Sequence, residues 1–318
     1  MPELPEVETV ARGLQATVAG RRILSVTLRK TDFIDDPAAI ERELPGRQIV
    51  RIERFGKFML LQLANRMALA APSAATAEAP PVHVSEALLV HLGMTGHLAP
   101  HVPEQPLAKH THVTFTLDDG RELRYTDARR FGRMAYLTGA ALAEELGRFG
   151  ADPLYVDREE FAGRVHASKA RIKALLLNQR VLRGVGNIYA DESLWKAQIH
   201  PAKIGLRLTS AELEALRKEL RKILLKAIEL RGSSISDFVD AGGIPGDYQQ
   251  HHKVYGREGQ PCPRCGAKIK KMVVAGRSSH FCPVCQPAHR APSRQSRRSR
   301  QRPSKKTKRN RPRATSKR

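Results

Sequence analysis

A chain of 318 residues with 41% hydrophobic content has enough apolar material for a buried core and enough length for two domains. Its formal net charge of +23 asks for a polyanionic partner, of which nucleic acid is the commonest, and no run approaches the roughly 20 apolar residues of a membrane span. Part of the excess is local: Gln286 to Arg318 holds 14 Lys or Arg and no Asp or Glu, and 23 less 14 leaves +9 on the rest, which is therefore basic without its tail. With an acidic N-terminus rather than a basic region followed by an apolar one, the protein is expected in the cytoplasm.

Taken in chain order, Glu6 to Val18 places Val7, Val10, Leu14 and Val18 at helical spacing before Gly20, which predicts an amphipathic helix with a glycine stop. The pattern then changes to short alternating runs, read as strands over Ile23–Leu28, Gln48–Arg54, Lys57–Leu63, His112–Leu117 and Glu122–Thr126. Asp119-Gly120 predicts a type I′ hairpin between the last two, so antiparallel pairing is favoured. Ala68 to Pro81 has no hydrophobic period and reads as a surface loop. From about Asp157 the signals turn helical: Thr209 and Glu212 form a capping-box pair ahead of Leu213, Leu216, Leu220, Ile223, Leu224 and Ala227 on one face. Gly184 to Ala190 is a glycine-punctuated turn leading into another helix. The tail from Pro287 has nothing to bury and is expected to be disordered.

Two groups of residues carry chemistry. Cys262-Pro263-Arg264-Cys265 and Cys282-Pro283-Val284-Cys285 have the spacing of a four-thiolate zinc site, Cys262, Cys265, Cys282 and Cys285 being the ligands. With every position taken by sulfur, the Zn2+ is structural. Ile269–Val274 and Ser278–Phe281 are expected to pair as a hairpin with Arg277 at its outward-facing tip, as a solvated cation or a phosphate contact. The N-terminus sets two prolines and two carboxylates beside a helix entrance. Capping explains these, since acids and proline are favoured in a first turn. Yet removal of Met1 would leave Pro2 with a secondary amine whose pKa, near 8 for α-amino groups, keeps part of it neutral and nucleophilic.

Met1 to Thr9, Lys57, His91-Leu92-Gly93-Met94-Thr95-Gly96, Tyr125 to Gly132, Gly184 to Ala190 and the hairpin ending His280-Phe281-Cys282 together resemble formamidopyrimidine-DNA glycosylase, in an order that spans residue 1 to about 286. Leu4 favours this oxidised-purine branch over endonuclease VIII. The resemblance implies an α+β multidomain fold: an N-terminal β-sandwich (1–137), a helix-two-turn-helix domain (138–250), a C-terminal zinc-finger hairpin (251–286) and a basic tail (287–318). It implies a bifunctional glycosylase and AP lyase that excises oxidised purines from damaged double-stranded DNA, flipping the base from the stack, and working as a monomer at the nucleoid.

Residue by residue, the resemblance matches Pro2 to the Schiff-base nucleophile and Glu3 to the acid/base of glycosidic cleavage and ring opening. Lys57 matches the proton donor of β-elimination and Arg277 the residue of δ-elimination. Met94, Arg129 and Phe131 match the residues that fill the gap left by the flipped nucleotide. His110, Arg129, Lys169 and Asn187 match DNA-backbone contacts. Without the resemblance, Lys57 reads as an edge-strand charge, Met94 and Phe131 as core, Lys169 as a solvated cation and Asn187 as a helix N-cap. Two features depart from the family pattern: the long connection from Ala68 to Ala87 and the basic tail. The loop within Ser233 to Asp247, matched to lesion recognition, varies between members. Two other readings stand beside this one: an endonuclease VIII-type enzyme for oxidised pyrimidines, and a non-catalytic DNA-binding protein, which would need none of Pro2, Glu3 and Lys57.

Overall fold

The computed structural model describes residues 1–64, 85–235 and 238–288. The Ala68–Pro81 loop and the basic tail beyond Ala288 lie outside the described residues. The chain opens with helix α1 (Leu4–Val18), followed by β1 (Ile23–Leu28), α2 (Pro37–Glu43), β2 (Gln48–Phe55), β3 (Phe58–Ala64), β4 (Glu86–His91), β5 (Gly96–His101), β6 (Thr111–Leu117), β7 (Glu122–Asp127) and β8 (Arg133–Thr138). The strands form two four-stranded antiparallel sheets, ordered β2-β3-β4-β8 and β1-β6-β7-β5.

Alternation along each strand explains the layers. In β3, Met59, Leu61 and Leu63 enter the main core with Val113, Phe115, Leu123 and Tyr125 of the opposite sheet, whereas Leu60 points the other way, onto Leu142. That residue belongs to α3 (Gly139–Gly147), which covers the outer face. The β6–β7 hairpin forms as expected but not with a type I′ turn. Only Gly120 has positive φ (83°), and its N–H donates to Leu117 O at 3.2 Å across Asp118 and Asp119. This is a three-residue loop closed by a left-handed glycine, which needs one positive-φ residue instead of two.

The second half is helical: α4 (Arg158–His166), α5 (Ile172–Leu177), α6 (Asn187–Lys196) and α7 (Ser210–Glu229). The Thr209–Glu212 capping box is present, and Leu213, Leu216, Leu220 and Leu224 of α7 build a second core. Strands β9 (Lys270–Val274) and β10 (Arg277–Phe281) form the final hairpin. Here Ala275 and Gly276 both have positive φ (50° and 71°), so the type I′ turn falls in this hairpin and Arg277 begins a strand immediately after it.

One feature positions everything that follows. Helix α1 straddles the two cores: Leu4, its first residue, packs in the helical core, and Val7, Val10 and Leu14 pack in the sandwich core. Residues just before Leu4 are therefore held at the seam. Arg54, its side chain only 4% exposed, crosses the same seam, pairing with Glu8 of α1 at 2.8 Å and with Asp152 at 2.9 Å.

Candidate active site and nucleic-acid interface

Pro2 and Glu3 are both buried at the seam, and Leu4 N–H donates to Gly184 O at 3.0 Å. The Glu3 carboxylate reaches the entrance of α6, accepting from Ile188 N at 3.1 Å and Tyr189 N at 3.5 Å. It thus satisfies helix-terminal donors from a distant part of the chain. Gly186 is the N-cap of α6, and Asn187 is its first helical residue rather than its cap. A Cβ on Gly186 would lie 2.2 Å from the Glu3 carboxyl carbon. The glycine is required by this approach, not by helix termination alone.

Burial pushes the Glu3 carboxyl up to about 7 from an ordinary 4.5; the Lys57 ammonium and the α6 amides oppose that shift, and the Glu6 charge adds to it. A carboxyl poised there both gives and takes protons near neutrality. Lys57 is also buried, and desolvation lowers its pKa against the attraction of Glu3 and Glu6, with the Arg277 charge adding to the lowering. It is not an edge-strand residue: it follows Gly56 (φ 64°) in the two-residue turn between β2 and β3, which aims it at the seam. His91, ring to ring with Phe58 at 5.0 Å, has its pKa driven down to about 4 by burial and by Lys57 and Arg133, so it is neutral and accepts from Gly93 N–H at 3.0 Å. Pro2, Glu3 and Lys57 therefore come together at the seam, although they come from the N-terminus and a hairpin turn, and the charge of Arg277 on the final hairpin bears on Lys57.

A second group lies on two loops of the sandwich. Met94 is 40% and Phe131 57% exposed, which excludes the core reading, and the Arg129 guanidinium stacks over the Phe131 ring at 4.7 Å. Both loops are organised by Asp127, wholly buried, whose carboxylate accepts from Thr95 Oγ1 at 2.6 Å, Gly132 N at 3.0 Å, and Arg129 N and Tyr125 OH at 3.2 Å. Gly93 lets the loops touch, since a Cβ there would sit 2.3 Å from the Phe131 carbonyl carbon. The His110 carbonyl accepts from Asp127 N–H at 3.0 Å, which ties that half-buried residue to the same centre. Asn187 is half-buried, and its amide oxygen, itself buried, has no hydrogen-bond partner among the described residues. Lys169 stands apart, exposed on the loop between α4 and α5.

Sequence reasoning passed over Asp127, Glu6 and Tyr189. Glu6 accepts from Glu3 N at 2.9 Å, Tyr189 OH at 2.5 Å and Ser233 N at 2.7 Å, joining α1, α6 and the segment after α7. Each lies inside a quoted motif, but only the tertiary contacts distinguish an organising carboxylate from its exposed neighbours.

The four cysteine sulfurs lie within 4.8 Å of one another, with Cys262–Cys285 at 4.0 Å and Cys265–Cys282 at 3.4 Å. Tetrahedral zinc with bonds of about 2.3 Å requires sulfur separations of about 3.8 Å, so the cluster fits Zn2+. The knuckles pack on Trp195 of α6, over which the Arg264 guanidinium stacks at 4.4 Å, and buried Gln286 donates to Ile199 O at 2.8 Å. The finger is docked on the helical part rather than dangling from it.

Comparison with known proteins accords with this geometry. Residues 1–134 match the formamidopyrimidine-DNA glycosylase N-terminal domain, residues 149–239 its H2TH domain, and residues 259–288 the zinc finger found in FPG and IleRS. Curated relatives named formamidopyrimidine-DNA glycosylase include one from Herpetosiphon aurantiacus, 40% identical over 291 residues (90% of this chain, 100% of the relative), and one from Symbiobacterium thermophilum, 43% identical over 310 residues (94% of each). Among solved structures, Lactococcus lactis Fpg in complex with abasic-site DNA superposes with a TM-score of 0.78 at 34% identity, covering 90% of this chain and all of that one. The Thermus thermophilus MutM (Fpg) structure gives 0.75 at 38% identity, covering 90% of this chain and 98% of that one.

Proposed function

The chain belongs to the formamidopyrimidine-DNA glycosylase family, and from that premise we propose how its own residues excise an oxidised purine from duplex DNA and cut the strand. The observation that carries the proposal is the buried Pro2–Glu3 pair at the seam, facing Lys57, with a carboxyl tuned to about 7. Once Met1 is removed, the Pro2 nitrogen lone pair bonds to the sugar C1′ while the C1′–N bond to the base breaks, the base leaving with its electrons and gaining a proton. Glu3 delivers a proton to the ring oxygen, opening the sugar to an iminium. Loss of a C2′ proton then expels the 3′ phosphate, and a second elimination expels the 5′ phosphate.

Lys57, made more acidic by burial, donates a proton in the first elimination, and Arg277 serves the second. Met94, Arg129 and Phe131 fill the gap in the duplex. Rigid support from Asp127 suits them to that, since a wedge that yields cannot hold a stack apart. His110, Lys169 and Asn187 contact the DNA backbone. The sulfur set holds one structural Zn2+, which fixes the finger's fold and supplies no reacting group. We assign the domains to 1–137, 138–250, 251–286 and a tail from 287. The site calls for no group from a second copy, so a monomer suffices for the reaction, and a DNA substrate suits the nucleoid of the cytoplasm.

Excision assays on paired duplexes carrying 8-oxoguanine or thymine glycol test this. Faster single-turnover release of 8-oxoguanine supports the oxidised-purine reading. Preference for thymine glycol would move the chain to the endonuclease VIII type, and activity on neither would leave a DNA-binding protein.

A further inference from the structure

Helix α6 does more than receive Glu3. One turn into it, Asp191 is wholly buried, and its Oδ1 lies 2.6 Å from Nζ of Lys173 on α5, a lysine with no exposed surface. The same Nζ donates to the carbonyl of Ser278 at 2.6 Å. The other Asp191 oxygen accepts from His280 N–H at 2.8 Å and lies 3.2 Å from His280 Nδ1, while the His280 ring packs edge-on to Tyr255 at 5.3 Å. Strand β10 is therefore gripped at residues 278 and 280 from inside the helical part, immediately beside exposed Arg277.

A buried lysine–aspartate pair is a poor source of stability, because taking both charges out of water costs about what their attraction returns. What it supplies is fixed geometry: an ammonium with two ligands and a carboxylate with three leave the strand one register and one height. Substitution of either partner leaves a buried charge unpaired, and loss of Lys173 also frees the Ser278 carbonyl next to Arg277.

We propose that Lys173, acting with Asp191, is a positioning residue for Arg277, setting the guanidinium over the Lys57 site for the second elimination without touching DNA itself. This rests on the reading of Arg277 given above. The test is single-turnover cleavage of a preformed abasic site in duplex DNA, with the first- and second-elimination products separated, using full-length Lys173→Met, Asp191→Asn, Arg277→Ala and Lys173→Met/Arg277→Ala proteins. Asp191→Asn keeps an acceptor for His280 and guards against failure of the more disruptive variant to fold. Zinc content and thermal unfolding are followed for each.

Lys173→Met and Asp191→Asn are expected to slow the second elimination about tenfold or more, the scale of a sub-ångström to 1 Å misplacement. Excision of 8-oxoguanine should stay within about twofold and zinc content unchanged, and Lys173→Met should add nothing in the Arg277→Ala background. Equal slowing of excision and second elimination, or additive effects with Arg277→Ala, would overturn the inference and leave the pair a purely structural one. If Arg277→Ala itself leaves the product pattern unchanged, the role given to Arg277 fails and the inference falls with it. If Arg277→Ala changes the pattern while folded Asp191→Asn and Lys173→Met do not, only the inference fails.

Discussion

Replacing Glu3 with glutamine should make the protein more stable as it makes it inactive on intact lesions, and only at neutral to alkaline pH. The side chain is 4% exposed, and its burial moves the carboxyl from 4.5 to about 7. The unfolded chain releases the Glu3 proton near 4.5 and the folded chain near 7, so between those values the folded state binds more protons. Stability is therefore greatest below 4.5, falls as pH rises, and levels off above 7. Between pH 5 and pH 8 a shift of that size removes about 2–3 kcal/mol from the wild-type fold, worth roughly 3–5 °C in Tm at about 2 cal/mol/K of unfolding entropy per residue. Glutamine keeps an acceptor for Ile188 N–H and has no proton to lose, so it escapes this fall. Thermal unfolding of both proteins at pH 5 and pH 8 should show the advantage of Glu3→Gln growing by that amount. A gap that is the same at both pH values would refute the claim that burial tunes this carboxyl.

Other outcomes follow from the same geometry. Gly186→Ala should depress base excision severely by displacing the Glu3 carboxyl, whose carbon a Cβ would meet at 2.2 Å, while zinc content stays unchanged; an excision rate within twofold of wild type would contradict this. Cys262→Ser or Cys285→Ser should release zinc and weaken DNA binding without unfolding the sandwich, read by metal analysis and by Tm, because the finger's own folding is tied to its metal. Truncation after Ala288 removes 14 Lys or Arg, and if about half engage phosphates the slope of log affinity against log salt should flatten by roughly 6. Parallel salt dependences for full-length and truncated proteins would exclude an electrostatic tether.

What the sequence could reveal and what it could not divide along physical lines. Strong local periodicity located α1, β1, the β6–β7 pair and the capped α7 within a residue or two. Strands β4, β5 and β8 went unread because their apolar and polar residues do not alternate cleanly: β4 is buried along most of its length, and β5 contains a glycine and a proline. The β6–β7 turn was misread because Asp-Gly fits two hairpin loops that differ only in how many residues take positive φ. The Pro2 amine could be read from the terminus itself, where capping explained the residues equally well, whereas the roles expected for Glu3 and Lys57 came only through ordered motifs, since a buried lysine and a solvated one look alike in a string of letters. Their supports were not legible at all. Asp127, Glu6, and the Lys173–Asp191 pair act across separations of up to some 230 residues, as between Glu6 and Ser233, and no local rule in the chain announces such contacts.

Every step proposed for the chemistry depends on the Pro2 amine becoming covalently joined to the sugar. Borohydride reduction during reaction with an 8-oxoguanine duplex, followed by proteolysis and mass spectrometry, tests it most directly. One trapped protein–DNA adduct is expected, on an N-terminal peptide that lacks Met1 and carries the sugar on Pro2. An adduct on Lys57 or any other lysine, with the Pro2 nitrogen free, would contradict it.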